Sequence, residues 1–154
     1  MKNLMVVMAI LVTGFSQAQK LKESEVPKSV KDSFAKHFPN TKGVEWSKES
    51  KTEFEAEFKK SGKEQSANFD QAGTWLLTET EIKKADLPQA VQAAIAKEFA
   101  GYKIEEAEKA EIADKGMFYE VELEKGELNY EVQFSADGKV LKKEVKEEKD
   151  DDKE

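Results

Sequence analysis

The chain has 154 residues and carries 32 acidic against 25 basic side chains, a formal net charge of −7. All 25 basic residues are lysine, there is no cysteine, and His37 is the single histidine. These counts exclude disulfide scaffolds, thiolate catalysis, Cys-ligated metals and any multi-histidine site. The acid excess without arginine also argues against nucleic acid as a partner, since that affinity rests on basic patches.

Met1 and Lys2 precede an apolar run from Leu4 to Phe15, and Ser16-Gln17-Ala18 places small residues where a signal peptidase cuts. Residues 1–18 are therefore expected to be a signal peptide cleaved after Ala18. The run is shorter than the roughly 20 residues of a bilayer span. Cleavage would leave 136 residues with a net charge of −8 and no membrane span, in the periplasm or outside.

The remaining chain repeats itself. Val26-Pro27-Lys28-Ser29-Val30 returns 61 positions later as Leu87-Pro88-Gln89-Ala90-Val91, and Phe38 returns as Phe99. Phe54-Glu55-Ala56-Glu57-Phe58 returns 65 positions later as Tyr119-Glu120-Val121-Glu122-Leu123, as do Phe69 and Gly73 as Phe134 and Gly138. The spacing predicts two units, at 19–82 and 83–147.

Each unit opens with a helix. Val26, Val30, Phe34 and Phe38 fall four apart, as do Leu87, Val91, Ile95 and Phe99. Ser24 and Asp86 are the expected N-caps, and Pro39-Asn40 and Gly101 the stops. The period then changes to two: Phe54, Ala56 and Phe58 alternate with Glu53, Glu55 and Glu57, and Tyr119, Val121 and Leu123 with Glu120, Glu122 and Glu124. Further strands are expected near 44–48, 66–69, 75–82, 103–112, 129–134 and 139–146, separated by Ser61-Gly62, Gln71-Ala72-Gly73, Lys125-Gly126 and Asp137-Gly138 turns. The expected fold class is α+β: two tandem modules, each one helix packed on a four-stranded antiparallel sheet, joined edge to edge. One sheet face would stay uncovered. Residues 148–154 are all charged and are expected to form a disordered tail.

Val26-Pro27, Val30, Phe34, Phe38-Pro39 and Val44-Glu45-Trp46 resemble the PepSY-like family described as β-lactamase-inhibitor-like. So do Phe54 to Phe58, Phe69-Asp70 with Gly73-Thr74-Trp75, and Thr78-Glu79-Thr80-Glu81. The resemblance runs from about Glu25 to Glu147. It implies tandem helix-plus-sheet modules like those of the secreted inhibitor that grips β-lactamase on a concave sheet.

No motif points to catalysis. Glu53, Glu55 and Glu57 read as a solvated row rather than as a carboxylic acid with a raised pKa. His37, in the last turn of the first helix, suits the helix dipole, and its counterpart is Glu98. Calcium is the best ion for so many acids, but Asp70 to Gly73 and Asp137-Gly138 lack EF-hand spacing and read as turns. Leu141 and Val145 share a parity expected to face the helix, as do Leu76 and Thr80. That parity sends Trp75 and Leu77 to the open face, while Trp46 reads as core.

The expected function is thus a non-enzymatic, exported protein-binding module, with an inhibitor of an envelope or secreted enzyme as one form. Trp75 and Leu77 would be its apolar anchors, and Glu53, Glu55, Glu57, Glu120 and Glu122 would select a partner with a basic surface. The alternative is a periplasmic small-ligand or cation carrier. No cofactor and no metal ligand is assigned.

Overall fold

A computed structural model describes residues 19–113 and 115–145. The expected signal peptide, 1–18, and the expected tail, 148–154, lie outside the described residues. Among these residues nine strands form one antiparallel sheet in chain order: β1 (Gln19–Leu21), β2 (Glu45–Lys48), β3 (Glu53–Lys60), β4 (Lys63–Asp70), β5 (Trp75–Glu81), β6 (Lys103–Ile112), β7 (Gly116–Lys125), β8 (Leu128–Phe134) and β9 (Val140–Val145). Helix α1 (Lys28–His37) precedes β2 and helix α2 (Gln89–Glu98) precedes β6. The architecture is therefore a single nine-stranded sheet with two helices rather than two four-stranded sheets. β5 pairs with β6 through five residue pairs, from Leu77–Ile112 to Glu81–Glu108, and β1 adds an edge strand the sequence does not announce.

Both helices begin later than their expected caps. Pro27 and Pro88 occupy the N-cap positions, and Ser24 and Asp86 sit in 3-10 turns at Glu23–Glu25 and Lys84–Asp86. A proline at either place disfavours helical backbone in the residue before it, so the upstream turn cannot join the helix.

Val30 and Phe34 of α1 pack with Trp46, Phe54, Ala56, Phe58, Ala67 and Phe69; Val91 and Ile95 of α2 pack with Ala107, Val121, Leu123, Val132 and Phe134. Trp46 is core, as its parity indicates. The strand register shows that both helices cover the same face. Ala67 pairs with Thr78 and Gln65 with Thr80; Thr80 pairs with Lys109, and Lys109 with Tyr119, which joins the α2 cluster. Side chains of the opposite parity form the open face.

Gly73 and Gly138, at φ of +86° and +84°, bind the strand turns to the helices. A Cβ on either would collide with the carbonyl of Ser29 or of Ala90, in the first turn of α1 or α2. Only glycine permits this approach at positive φ.

Candidate functional site

The open face is laid out by the register. One row runs Ser47, Glu55, Asn68, Leu77, Ile112 and Gly116; the next runs Glu45, Glu57, Ser66, Glu79, Ala110 and Phe118. A third aligns Glu81, Glu108, Glu120, Gln133 and Lys142, and a fourth Glu106, Glu122, Glu131 and Glu144. Glu53, Glu55, Glu57, Glu120, Glu122 and Leu77 all stand where the sequence places them, on the open face.

Trp75 does not. A bulge between β4 and β5 pairs Phe69 with Trp75 and Asn68 with Leu77, so Leu76 is the extra residue and parity reverses there. Trp75 turns to the helix side and packs against the α1 cluster, with its Nε1 donating to the Leu77 carbonyl at 2.9 Å and to Thr78 Oγ1 at 2.8 Å. The same bulge recurs between β8 and β9. There Val140 takes the core contact, and Leu141 and Val145 are exposed rather than covered by the helix.

The acidic rows are not simply wet. Burial pushes Glu79 and Glu108 up to about 7 and Glu55 and Glu120 up to about 8. Neighbouring carboxylates add to each: Glu49 for Glu55, Glu108 for Glu79, Glu106 for Glu108 and Glu131 for Glu120. Neutral donors hold the oxygens: Ser66 Oγ reaches Glu79 at 3.2 Å, Gln133 Nε2 reaches Glu120 at 2.8 Å, and Asn129 Nδ2 reaches Glu122 at 2.7 Å. Ser47 Oγ lies 3.2 Å from both Glu49 and Glu55 and can donate to one at a time. Near neutral pH these four carboxyls retain part of their protons, so the face is less negative than the sequence charge implies.

Glu79, Glu108 and Glu120 each offer a carboxylate oxygen, all within 4.8 Å of one another. Beside them lies a recess of about 120 Å³ lined by Glu106, Glu108, Glu120, Glu122 and Glu131. Small-molecule sites occupy roughly 300–1,000 Å³, so this recess suits an ion or the tip of one side chain rather than a sugar or drug-sized ligand.

Next to the carboxyls lies an apolar strip that sequence reading misses. Ala110 and Phe118 are buried and Leu77 and Ile112 half-buried, yet none belongs to a helix-side cluster. Phe118 is out of parity with Tyr119, Val121 and Leu123, which is the available signal. Its burial on the uncovered side means that open-face side chains shield one another.

The chain belongs to the family described as "Putative beta-lactamase-inhibitor-like, PepSY-like", whose model matches residues 14–66 and 52–142. Three solved structures share the fold. A BLIP-like protein from Bacteroides fragilis NCTC 9343 is 25% identical, with a TM-score of 0.68 over 81% of this chain and 90% of that one. A DUF2874 family protein from Bacteroides uniformis ATCC 8492 is 22% identical, with a TM-score of 0.72 over 77% of this chain and 88% of that one. A third, from Bacteroides eggerthii DSM 20697 and described as "putative periplasmic", is 22% identical, with a TM-score of 0.73 over 78% of this chain and 88% of that one. Among curated proteins no sequence matches this chain. No helix among the described residues is long and apolar enough to cross a membrane.

Proposed function

We propose that this chain is an exported, non-enzymatic binding protein of the cell envelope that grips a basic protein surface on the open face of its sheet. Inhibition of an envelope or secreted enzyme is the form that the family's description suggests. The observation that carries this reading is the juxtaposition of half-buried Glu55, Glu79, Glu108 and Glu120 with the strip Leu77, Ile112 and Phe118, on the one face the helices leave uncovered. A lysine or arginine laid there would bury its stem on the strip and its charge among the carboxyls. It would also draw their protons off, so association would release protons.

The order of one helix and then four strands occurs twice, and Gly73 and Gly138 make the same contact in each half. This supports reading 19–82 and 83–147 as a tandem repeat whose two sheets merge at β5–β6, giving one continuous binding face. Export rests on residues 1–18. Mass spectrometry of the envelope form is expected to find Gln19 as its first residue.

The test is crosslinking in cells followed by mass spectrometry, comparing the unaltered chain with Leu77→Asp and with Glu79→Lys plus Glu120→Lys. One basic partner is expected, lost in both variants and weakened by salt. A partner retained by both variants would place the interface elsewhere.

A second reading, a divalent-cation carrier, is supported by the three oxygens of Glu79, Glu108 and Glu120. Calorimetric titration separates it from the first.

A further inference from the structure

On the helix side, at the C-terminal end of α1, lies a cavity of about 380 Å³. Its lining includes His37 and Phe38 of the α1 terminus, Lys60 and Lys63 of the β3–β4 hairpin, Gln65 of β4 and Trp75 of β5. The volume is within the range of small-molecule sites. The cavity lies on the opposite face from the carboxyl rows, so its occupancy is independent of a partner on the open face.

The lining has a definite chemistry. Three aromatic rings meet there: His37 lies 5.6 Å from Trp75 and 6.3 Å from Phe38. The His37 Nδ1 is 2.9 Å from the Ser33 carbonyl, which can only accept, so Nδ1 carries a proton and Nε2 is the remaining hydrogen-bonding atom of the ring. Gln65 Nε2 donates to Thr80 Oγ1 at 2.9 Å, while Gln65 Oε1 is buried with no hydrogen-bond partner. A buried acceptor of this kind is costly unless something donates to it. Lys63 forms no salt bridge among the described residues, and Lys60 Nζ lies 5.4 Å from the Phe38 ring centroid. Glu111 also lines the cavity, but its carboxylate is paired with Lys109 Nζ at 2.8 Å, which leaves Lys60 and Lys63 as the cations facing a ligand there.

The second half of the chain supplies an internal comparison. Tyr130 and Lys143 stand at the positions of Gln65 and Thr78, 65 residues on. Tyr130 sits 5.6 Å from Tyr102, and Lys143 Nζ lies 3.8 Å from the Tyr130 ring centroid and 5.4 Å from that of Phe99. Large side chains thus fill against the end of α2 the place that Gln65 and Thr78 leave open against the end of α1.

We propose that this cavity binds a small aromatic carboxylate that also carries a hydrogen-bond donor. The ring lies among Trp75, His37 and Phe38, the carboxylate meets Lys60 and Lys63, and the donor meets Gln65 Oε1 once that side chain turns its amide toward the cavity it lines.

The test uses the purified protein with 4-hydroxybenzoate as probe, followed by saturation-transfer NMR and by quenching of tryptophan fluorescence. Benzoate, which lacks the donor, and phenol, which lacks the charge, are the comparison ligands. 4-Hydroxybenzoate is expected to bind with a Kd below about 1 mM and more tightly than either. Gln65→Tyr, which installs the second half's plug, is expected to abolish binding. Lys63→Ala, an exposed change that leaves the core untouched, should weaken it about threefold or more. Glu120→Gln, on the other face, should leave it unchanged. Absence of binding, equal binding of all three ligands, or affinity unaffected by Lys63→Ala would overturn the proposal, and these hold even where Gln65→Tyr disturbs folding.

Discussion

The indole Nε1 of Trp75 donates to Thr78 Oγ1 at 2.8 Å, a bond that spans the β-bulge and holds both side chains on the helix side of the sheet. Thr78 is itself buried, opposite Ala67 in the core. Trp75 packs against the α1 cluster on one side and lines the cavity on the other, so it is a structural residue as well as a wall of that cavity.

Trp75→Ala is accordingly expected to destabilise the fold by about 2–4 kcal/mol, less than for a fully buried tryptophan because the ring is only half-covered. It also leaves the Thr78 hydroxyl without its donor. Trp75→Phe should cost less, since the ring contacts survive. Urea unfolding measures both, and a loss below about 0.5 kcal/mol for the alanine change would contradict the packing described.

Gly73→Ala and Gly138→Ala should each destabilise by about 1–3 kcal/mol. Both residues combine positive φ with a helix carbonyl lying where a Cβ would stand. The two sites lie in different halves, so the double change should be additive within about 0.5 kcal/mol. Chemical denaturation of the three variants tests this, and an unchanged midpoint in either single variant would contradict the close approach.

Much of this fold is legible in the residues. Phe54, Ala56 and Phe58, with their glutamate alternates, state a strand covered on one side, and the fourfold spacing of Val30 and Phe34 states the helix that covers it. Parity misplaces Trp75 because it assumes one residue per pairing position, and Leu76 breaks that count. The carboxyl cluster is illegible for a different reason. Glu79, Glu108 and Glu120 are far apart in sequence and meet only through the β5–β6 and β6–β7 registers, which residue patterns do not print. Burial comes from that meeting, and the raised pKa values come from the burial. The first half's cavity is a matter of side-chain size, visible only when Gln65 and Thr78 are compared with Tyr130 and Lys143.

Stability should fall as pH rises. In the unfolded chain Glu55, Glu79, Glu108 and Glu120 titrate near an ordinary glutamate value, whereas in the fold they hold their protons to about 7–8. The folded state therefore binds more protons between these limits, and the slope of unfolding free energy against pH is negative there. The stabilisation from protonated carboxyls is complete below the unfolded value and is lost as pH passes through 7 to 8. Glu120→Gln should flatten the slope and raise stability at pH about 8.5 relative to the unaltered chain. Urea midpoints across this range decide it; a midpoint that rises from acid to alkali would contradict the burial of these groups.

The cation reading makes a separate claim about the same carboxyls. Calcium is held by oxygens at roughly 2.3–2.6 Å, so ligand oxygens within one shell lie no further apart than twice that distance, as those of Glu79, Glu108 and Glu120 do. To bind, the three must ionise, so the ion competes with their protons and its affinity rises from pH about 6 to about 8.5. Magnesium, which requires a tighter octahedron and sheds water reluctantly, should bind more weakly. Calcium should then raise the melting temperature at the higher pH, where the carboxyls repel one another most, and have little effect at the lower. Glu108→Gln removes the central ligand, and it should abolish the calcium response while stabilising the metal-free protein at alkaline pH. Calorimetry and thermal unfolding measure the two effects independently. If calcium produces neither heat nor a shift in melting temperature at pH about 8.5, the carboxyls serve protons and a basic partner alone.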